Sequence, residues 1–252
     1  MRNALYRARG ERASVIFYTV SVSVIALVAG IISAMSSLYL DRSAMAAAEN
    51  SKPVTVIIDA GHGGEDCGAI GKNGVYEKDL NLQISFEIGE LLIERGYDVV
   101  YTRTEDALLY LPEQNIKGIR KISDLKNRCS MVSEYENPIF VSIHMNAFGD
   151  SRYSGLQVYY SENDETSRDL AESIQRSVVD AMQSGNKRAV KPGEEIYVLK
   201  NLSAPAVLIE CGFLSNLEEC EKLSKKEYQK QLSFWIVCGI IEYIEAQKSI
   251  GG

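Results

Sequence analysis

Short apolar runs of strand length alternate with segments of helical periodicity along most of this 252-residue chain. Six runs have the length and apolar content of strands, at residues 54–59, 97–101, 138–143, 155–160, 196–199 and 206–210. Helical spacing of apolar residues predicts helices at residues 77–95, 119–132, 164–182 and 226–247. Strands that alternate with helices are typical of the α/β class. We therefore expect a mostly parallel six-stranded sheet between helical layers.

The N-terminal part of the chain has a different character. Residues 13–40 contain no charged side chain, and four arginines and one glutamate precede them. This run exceeds the roughly 20 residues that a helix needs to cross a bilayer. The basic flank predicts that residues 1–12 stay in the cytoplasm and that the remainder is exported. We expect a single-pass membrane anchor at 13–40, a linker at 41–53 and a folded domain at 54–252 outside the cytoplasm.

A cleaved signal peptide is the alternative for this segment. The small residues 44–48 (AMAAA) offer a cleavage site, and cleavage would give a secreted form. The apolar core is longer than signal peptides usually have, which favours the uncleaved anchor. The formal net charge of −7 excludes the basic surplus typical of nucleic-acid binders, so we expect no nucleic-acid partner.

The chain has only two histidines, and both follow predicted strands. His62 comes shortly after the run at 54–59, and His144 directly follows the run at 138–143. Glu210 ends the run at 206–210, and Glu77 begins a helix after a glycine-rich loop. Ligands of open α/β sheets bind beyond the carboxyl ends of the strands. We therefore expect these four side chains at one edge of the sheet.

Two imidazoles and one carboxylate are a frequent ligand set of catalytic zinc sites, which keep the fourth position for water. His62, Glu77 and His144 would bind one Zn²⁺, and Glu210 would accept a proton and return it to a leaving nitrogen. Asp59 is a candidate support for a histidine ligand. Structural roles remain open for each, because a single histidine at a strand end is often only hydrogen-bonded. A glutamate at a helix start also stabilises the helix dipole.

Four sequence blocks resemble one enzyme family. The segment DAGHGGEDCGA at residues 59–69 is similar to the DxGHGGxDxGA signature of zinc-dependent N-acetylmuramoyl-L-alanine amidases. Glu77 in YEKDLNL, His144 in SIHMNA and Glu210 in IECGFLSN match the family's other three blocks in order. The resemblance implies an α/β fold with a six-stranded sheet. It also implies that His62, Glu77 and His144 are zinc ligands and that Glu210 is the catalytic carboxylate. Ala60 replaces the proline that usually follows the first aspartate.

The implied substrate is peptidoglycan, and the implied reaction is hydrolysis of the amide between the lactyl group of N-acetylmuramic acid and the first L-Ala of the stem peptide. The interval between residues 160 and 196 leaves no room for a helical cover over the site, and wall-binding repeats are missing. A bare catalytic domain behind one anchor, with GIRKISDLKNR before the third strand, resembles the germination-specific amidases that act in spore-cortex maturation and muramic-lactam formation.

Other functions remain open at this stage. They are a vegetative wall amidase, a zinc endopeptidase of the stem peptide, and a wall-binding protein without activity. The need for an activating protein partner is also open. Arg103 and Arg120 are candidates for pairing with a carboxylate of the stem peptide.

Overall fold

The computed structural model describes residues 29–33, 35–36, 53–116 and 119–251. The chain divides into two compact units, Met1–Ser51 and Lys52–Gly252. In the first unit the described residues are helical, and the Ser36 hydroxyl donates to the Ile32 carbonyl at 2.8 Å. Most of the predicted anchor at 13–40 and all but the last residue of the predicted linker at 41–53 lie outside the described residues. Within the described ranges, none of the helices combines the length and the apolar character needed to cross a bilayer.

The second unit is built on a mixed, mostly parallel six-stranded sheet. Its strands are β1 (Thr55–Ala60), β2 (Asp98–Tyr101), β3 (Pro138–Asn146), β4 (Gln157–Tyr160), β5 (Lys191–Pro192) and β6 (Ala206–Phe213). Their order across the sheet is β2-β1-β3-β6-β4-β5. All neighbouring pairs are parallel except β4 with β6, which is antiparallel. The predicted α/β class and the mostly parallel sheet are confirmed.

Six helices surround this sheet. They are α1 (Glu77–Ile93), α2 (Arg120–Val132), α3 (Ser167–Met182), α4 (Tyr197–Asn201), α5 (Leu217–Leu223) and α6 (Lys226–Gly251). Successive strand residues alternate between two cores. Ile58 and Ile209 pack into the larger core, whereas Ile57 and Leu208 pack into the smaller one. Because the central strands are buried on both faces, their sequences are nearly continuous apolar runs.

The two helical layers are unequal. α1, α3 and α6 pack together on the larger core, while α2 and α4 pack together over the smaller one. The five cysteines are all free.

The predicted strand at 196–199 is wrong. Tyr197–Asn201 forms the short helix α4, and the fifth strand is instead the pair Lys191–Pro192. A run of four apolar residues has no clear periodicity, so length alone could not separate a buried strand from a buried helical turn. Val198 and Leu199 are buried in the smaller core in either case.

The buried face of α2 agrees only in part with the sequence pattern. Of the apolar positions, Leu125, Cys129 and Val132 pack on the smaller core, whereas Ile119 and Ile122 are 43% and 39% exposed. The buried residues of α2 also include the polar side chains Ser123, Asp124 and Arg128. Buried charges are tolerated only when they are paired, and these charges pair with each other and with residues of β1 and the loop that follows it.

Candidate metal centre

Three adjacent parallel strands bring the predicted site residues to one edge of the sheet. His62 follows β1, while His144 and Glu210 lie near the ends of β3 and β6 and are paired in register. Both strands continue beyond these residues, to Asn146 and Phe213. Glu77 is the first residue of α1 and is buried. The order of the strands β1-β3-β6 therefore explains why residues far apart in sequence meet.

Three of these side chains surround one point. The Nε2 atom of His62 lies 3.1 Å from Oε1 of Glu77, and the Nδ1 atom of His144 lies 3.0 Å from the same oxygen. One donor atom from each of the three residues lies within 4.8 Å of the others. Two imidazole nitrogens and one carboxylate oxygen form the ligand set typical of an open catalytic zinc site. The group is therefore of the right composition and size to hold a single metal ion.

Main-chain donors fix the Glu77 carboxylate. Its Oε1 accepts from the Met145 amide at 3.1 Å, and its Oε2 accepts from the Ala69 amide at 2.8 Å. Burial raises the pKa of Glu77, but hydrogen bonding to His144 and His62 outweighs burial and holds that pKa well below its usual range. The carboxylate therefore stays ionised, as a metal ligand must.

His62 is held between two carboxylates. Its Nδ1 lies 3.0 Å from Oδ2 of Asp66, on the side of the ring opposite to Nε2. Burial lowers the pKa of His62, but contact with Asp66 and Glu77 outweighs burial and raises the pKa to about 9. The Nζ atom of Lys121 is 3.1 Å from the same Asp66 oxygen. A metal ion that binds to Nε2 of His62 would displace a proton from the ring, so the affinity of the site for metal should depend on pH.

Asp66, and not Asp59, is the aspartate whose carboxylate lies against the His62 ring. Asp59 accepts from the Thr102 and Ser142 hydroxyls at 2.7 and 2.6 Å and from Arg128 at 2.5 Å. The expectation that Asp59 supports a histidine ligand is therefore not met by these contacts. Asp66 stands only four residues after His62, which could have suggested a contact between the two side chains. The sequence alone does not show that the loop between them folds back so that the contact forms.

Arg128 organises the loop that carries His62. Its guanidinium donates to Asp59, to both oxygens of Asp124 and to the carbonyls of Ala60 and His62, at distances between 2.5 and 3.2 Å. Burial lowers the pKa of the guanidinium, but the adjacent carboxylates of Asp59 and Asp124 outweigh burial and raise that pKa above its usual range. A single buried cation thus ties α2 to the end of β1. The sequence pattern around Arg128 does not predict this role.

Two glycines are required for the ligands to approach. A Cβ atom on Gly61 would lie 2.1 Å from Nε2 of His144, and one on Gly68 would lie 2.5 Å from Oε2 of Glu77. His62 itself has a φ of 63°, in the left-handed region that favours glycine. The glycine-rich loop therefore serves close packing around the donor atoms.

Glu210 is a fourth group at the same edge and is partly buried. Burial raises its pKa to about 7. Its Oε2 atom is buried and has no hydrogen-bond partner within the described part of the chain. A buried carboxyl oxygen without a partner is unusual in a stable fold and is frequent at functional sites. A pKa near neutrality suits a group that must both accept and release a proton.

The two arginines that the sequence offers as partners of a stem-peptide carboxylate form contacts within the chain. Arg103 is buried and donates to the carbonyls of Ala60, Gly61 and Lys78. Arg120 pairs with Glu65 at 2.5 Å. These contacts support the loop around His62, and pairing of either arginine with a carboxylate of the stem peptide stays a prediction.

A family model and similar proteins all point to one enzyme family. The model of the N-acetylmuramoyl-L-alanine amidase family matches residues 56–242. The chain is 34% identical to the germination-specific N-acetylmuramoyl-L-alanine amidase of Bacillus subtilis over 194 residues, which are 75% of this chain and 78% of that protein. It is 39% identical to the Bacillus subtilis protein YqiI over 201 residues, 79% of this chain and 89% of the relative.

A solved structure shows the same architecture. The CwlD amidase from Clostridioides difficile, solved in complex with the GerS lipoprotein, is similar with a TM-score of 0.73 and 41% sequence identity. The similarity covers 76% of this chain and 98% of that one.

Proposed function

This chain belongs to the N-acetylmuramoyl-L-alanine amidase family and is a peptidoglycan hydrolase, and on that premise we propose that His62, Glu77 and His144 hold one Zn²⁺ while Glu210 transfers protons. The observation that carries this proposal is the set of three donor atoms within 4.8 Å of one another, at the same sheet edge as a second, partly buried carboxyl group. Zinc bound here would supply Lewis acidity toward the scissile carbonyl and would lower the pKa of a water molecule.

Main-chain and side-chain groups around the proposed zinc ligands hold them in position for this chemistry. Main-chain amides orient the Glu77 carboxylate, and Asp66 lies against the far nitrogen of His62. Such outer contacts fix the direction of ligand atoms before the ion binds. Glu210 accepts a proton from the attacking water and passes it to the amine of L-Ala as the carbon–nitrogen bond breaks. A carboxyl group with a pKa of about 7 is suited to both steps.

Product analysis tests the reaction. The purified full chain, loaded with zinc, is incubated with peptidoglycan, and the products are separated and identified by mass spectrometry. We expect muramic acid residues with a free lactyl carboxyl group and peptides with N-terminal L-Ala. New termini within the stem peptide would instead indicate an endopeptidase. Zinc binding with no products would indicate a wall-binding protein.

We further propose that the chain acts in spore-cortex maturation, where removal of stem peptides precedes muramic-lactam formation. The similarity to a germination-specific amidase and to the CwlD amidase supports this role. The chain can be expressed in a Bacillus subtilis strain that lacks its germination-specific amidase. Restored muramic lactam in the cortex is the expected result, with Glu210→Gln as the inactive control. A chain that is active on vegetative walls but restores no lactam would favour the vegetative role.

Location and partners form a separate proposal. The uncharged run at residues 13–40 supports a single-pass anchor with the catalytic domain outside the cytoplasm. Protease added to intact protoplasts should then degrade the domain, whereas protection would contradict the orientation. The complex of the CwlD amidase with the GerS lipoprotein supports a protein partner for this chain. Full turnover by the purified chain alone would show that no activating partner is needed.

A further inference from the structure

Three aromatic side chains form a platform beyond the strands that carry His144 and Glu210. Phe148 and Tyr153 belong to the loop after β3, and Phe213 ends β6. The Phe148 and Tyr153 rings meet edge to face with centroids 5.1 Å apart, and Tyr153 stacks on Phe213 at 6.1 Å. Phe148 and Tyr153 are 58% and 44% exposed, so two large aromatic side chains are open to solvent.

The platform is close to the proposed reaction centre. β3 and β6 are parallel neighbours, and Asn146 is paired with Phe213. Phe148 is four residues beyond His144, which limits the distance between their Cα atoms to about 14 Å even for an extended chain. Phe213 is three residues beyond Glu210, so a polymer held at the centre can reach the platform.

Buried contacts hold the platform in place. The buried carboxylate of Glu219 accepts from the Gly155 amide at 2.8 Å and from the Phe213 amide at 2.7 Å, which ties Phe213 and the end of the loop that carries Tyr153 to α5. The Phe148 amide donates to the Ser215 hydroxyl at 3.1 Å. The exposure of the rings is therefore a property of an ordered loop.

Arg188 further fixes the inner rings. Its guanidinium carbon lies 4.8 Å from the centroid of Phe213 and 5.6 Å from that of Tyr153. Its Nε donates to the Ser154 carbonyl at 3.3 Å. Cation–π contacts of this kind stabilise a ring in one position. Phe148 is then the outermost ring of a fixed row.

We propose that this platform binds the glycan strand of peptidoglycan, with the C–H face of a pyranose ring against Phe148 and Tyr153. This inference rests on the proposed function, since the scissile amide is attached to a muramic acid and the adjoining sugars must extend from the site. A pyranose offers a flat C–H face with hydroxyls at its rim, which matches an exposed neutral ring. The stem peptide carries carboxylates and has no such flat face.

Binding can be measured without hydrolysis. The full chain with labelled phenylalanine and tyrosine rings is titrated by NMR with peptide-free glycan oligomers and, separately, with isolated stem peptide. We expect the glycan to shift the Phe148 and Tyr153 signals. Phe148→Ala should weaken glycan binding by about 3- to 10-fold, the range expected for loss of one aromatic contact, and Phe148→Trp should restore it.

A matched control is available on α6. Phe234 is also exposed and also meets its aromatic neighbour Trp235 edge to face at 5.1 Å. Phe234→Ala should leave glycan binding unchanged. Equal glycan affinity of wild type and Phe148→Ala, or ring shifts caused by the stem peptide and not by glycan, would overturn the platform proposal. Glycan binding through Phe148 by a chain that cuts a different bond would support the platform and contradict the proposed reaction.

Discussion

Replacement of Arg128 by methionine tests how strongly the fold and the candidate site depend on one buried charge. The Arg128 side chain is 2% exposed and donates five hydrogen bonds, three to aspartate oxygens and two to main-chain carbonyls. Methionine retains an unbranched apolar side chain and a good helix propensity. The substitution therefore removes the charge and its donors without a strong local effect on α2.

The expected loss of stability follows from these contacts. Removing one partner of a buried ion pair costs about 3–5 kcal/mol, because the other charge remains buried. Asp59 and Asp124 would both remain, so we expect about 4 kcal/mol or more. Such a loss is a large part of the roughly 5–15 kcal/mol that stabilise a typical domain. For a domain of this size it corresponds to a fall of about 10 °C in the melting temperature.

The assay is urea and thermal unfolding of the full chain, followed by circular dichroism, together with zinc content. Because Arg128 also donates to the His62 carbonyl at 2.8 Å, zinc affinity should fall as well. Arg168→Met is the control, since Arg168 forms an exposed pair with Glu172 and should leave the midpoint unchanged.

A double variant tests the electrostatic cause directly. Arg128→Met combined with Asp59→Asn should recover part of the lost stability, because one unpaired carboxylate is removed. The buried ion pair does not stabilise the fold if the free energy of unfolding of Arg128→Met lies within about 1 kcal/mol of the wild-type value. The same conclusion follows if adding Asp59→Asn to Arg128→Met recovers no stability.

Three further predictions concern the site and its pH dependence. Glu210→Gln should retain zinc and lose about 10²–10⁴-fold in amide hydrolysis, and near-normal turnover would refute its role. Gly61→Ala should lose zinc, because its Cβ would lie 2.1 Å from Nε2 of His144, whereas Gly185→Ala has open space and should not; normal zinc content in both variants would contradict this packing. Burial raises the pKa of Asp59, but Arg128 and the hydroxyl donors outweigh burial and lower it. Its ionised form therefore adds stability above the unfolded pKa of about 3.9, and this is lost as pH falls through the lower folded pKa. The difference in unfolding free energy between wild type and Asp59→Asn should stay constant above about pH 5 and shrink as pH falls below about 4, and a difference that is constant throughout would refute the assignment.

The central strands could be predicted from the sequence because each is buried on both faces. A run such as residues 54–59, in which β-branched residues follow one another, strongly favours a buried strand over a helix or a loop. The edge of the sheet could not be predicted in this way. β5 consists of Lys191 and Pro192, which are exposed and carry no apolar signal. α5 is only seven residues long and was not predicted.

Site positions were easier to predict than the contacts that support them. The two histidines, Glu77 and Glu210 could be placed at one edge because strand ends determine where side chains emerge. Arg128 and Asp66 could not, since their roles depend on partners brought together by the fold. Arg128 contacts Asp59, 69 residues away in sequence. A charged residue next to Cys129 in an amphipathic pattern has the appearance of a surface residue until its partners are known.

The backbone at His62 sets stability against activity within a single residue. A left-handed φ costs an ordinary residue about 1–2 kcal/mol relative to glycine, and His62 adopts it while its ring contacts the carboxylates of Asp66 and Glu77. His62→Gly would remove the backbone cost and both carboxylate contacts together, so the heat resistance of that variant would not measure the backbone cost alone. Efforts to stabilise this enzyme should hold residue 62 constant, because the strained residue is also a proposed metal ligand.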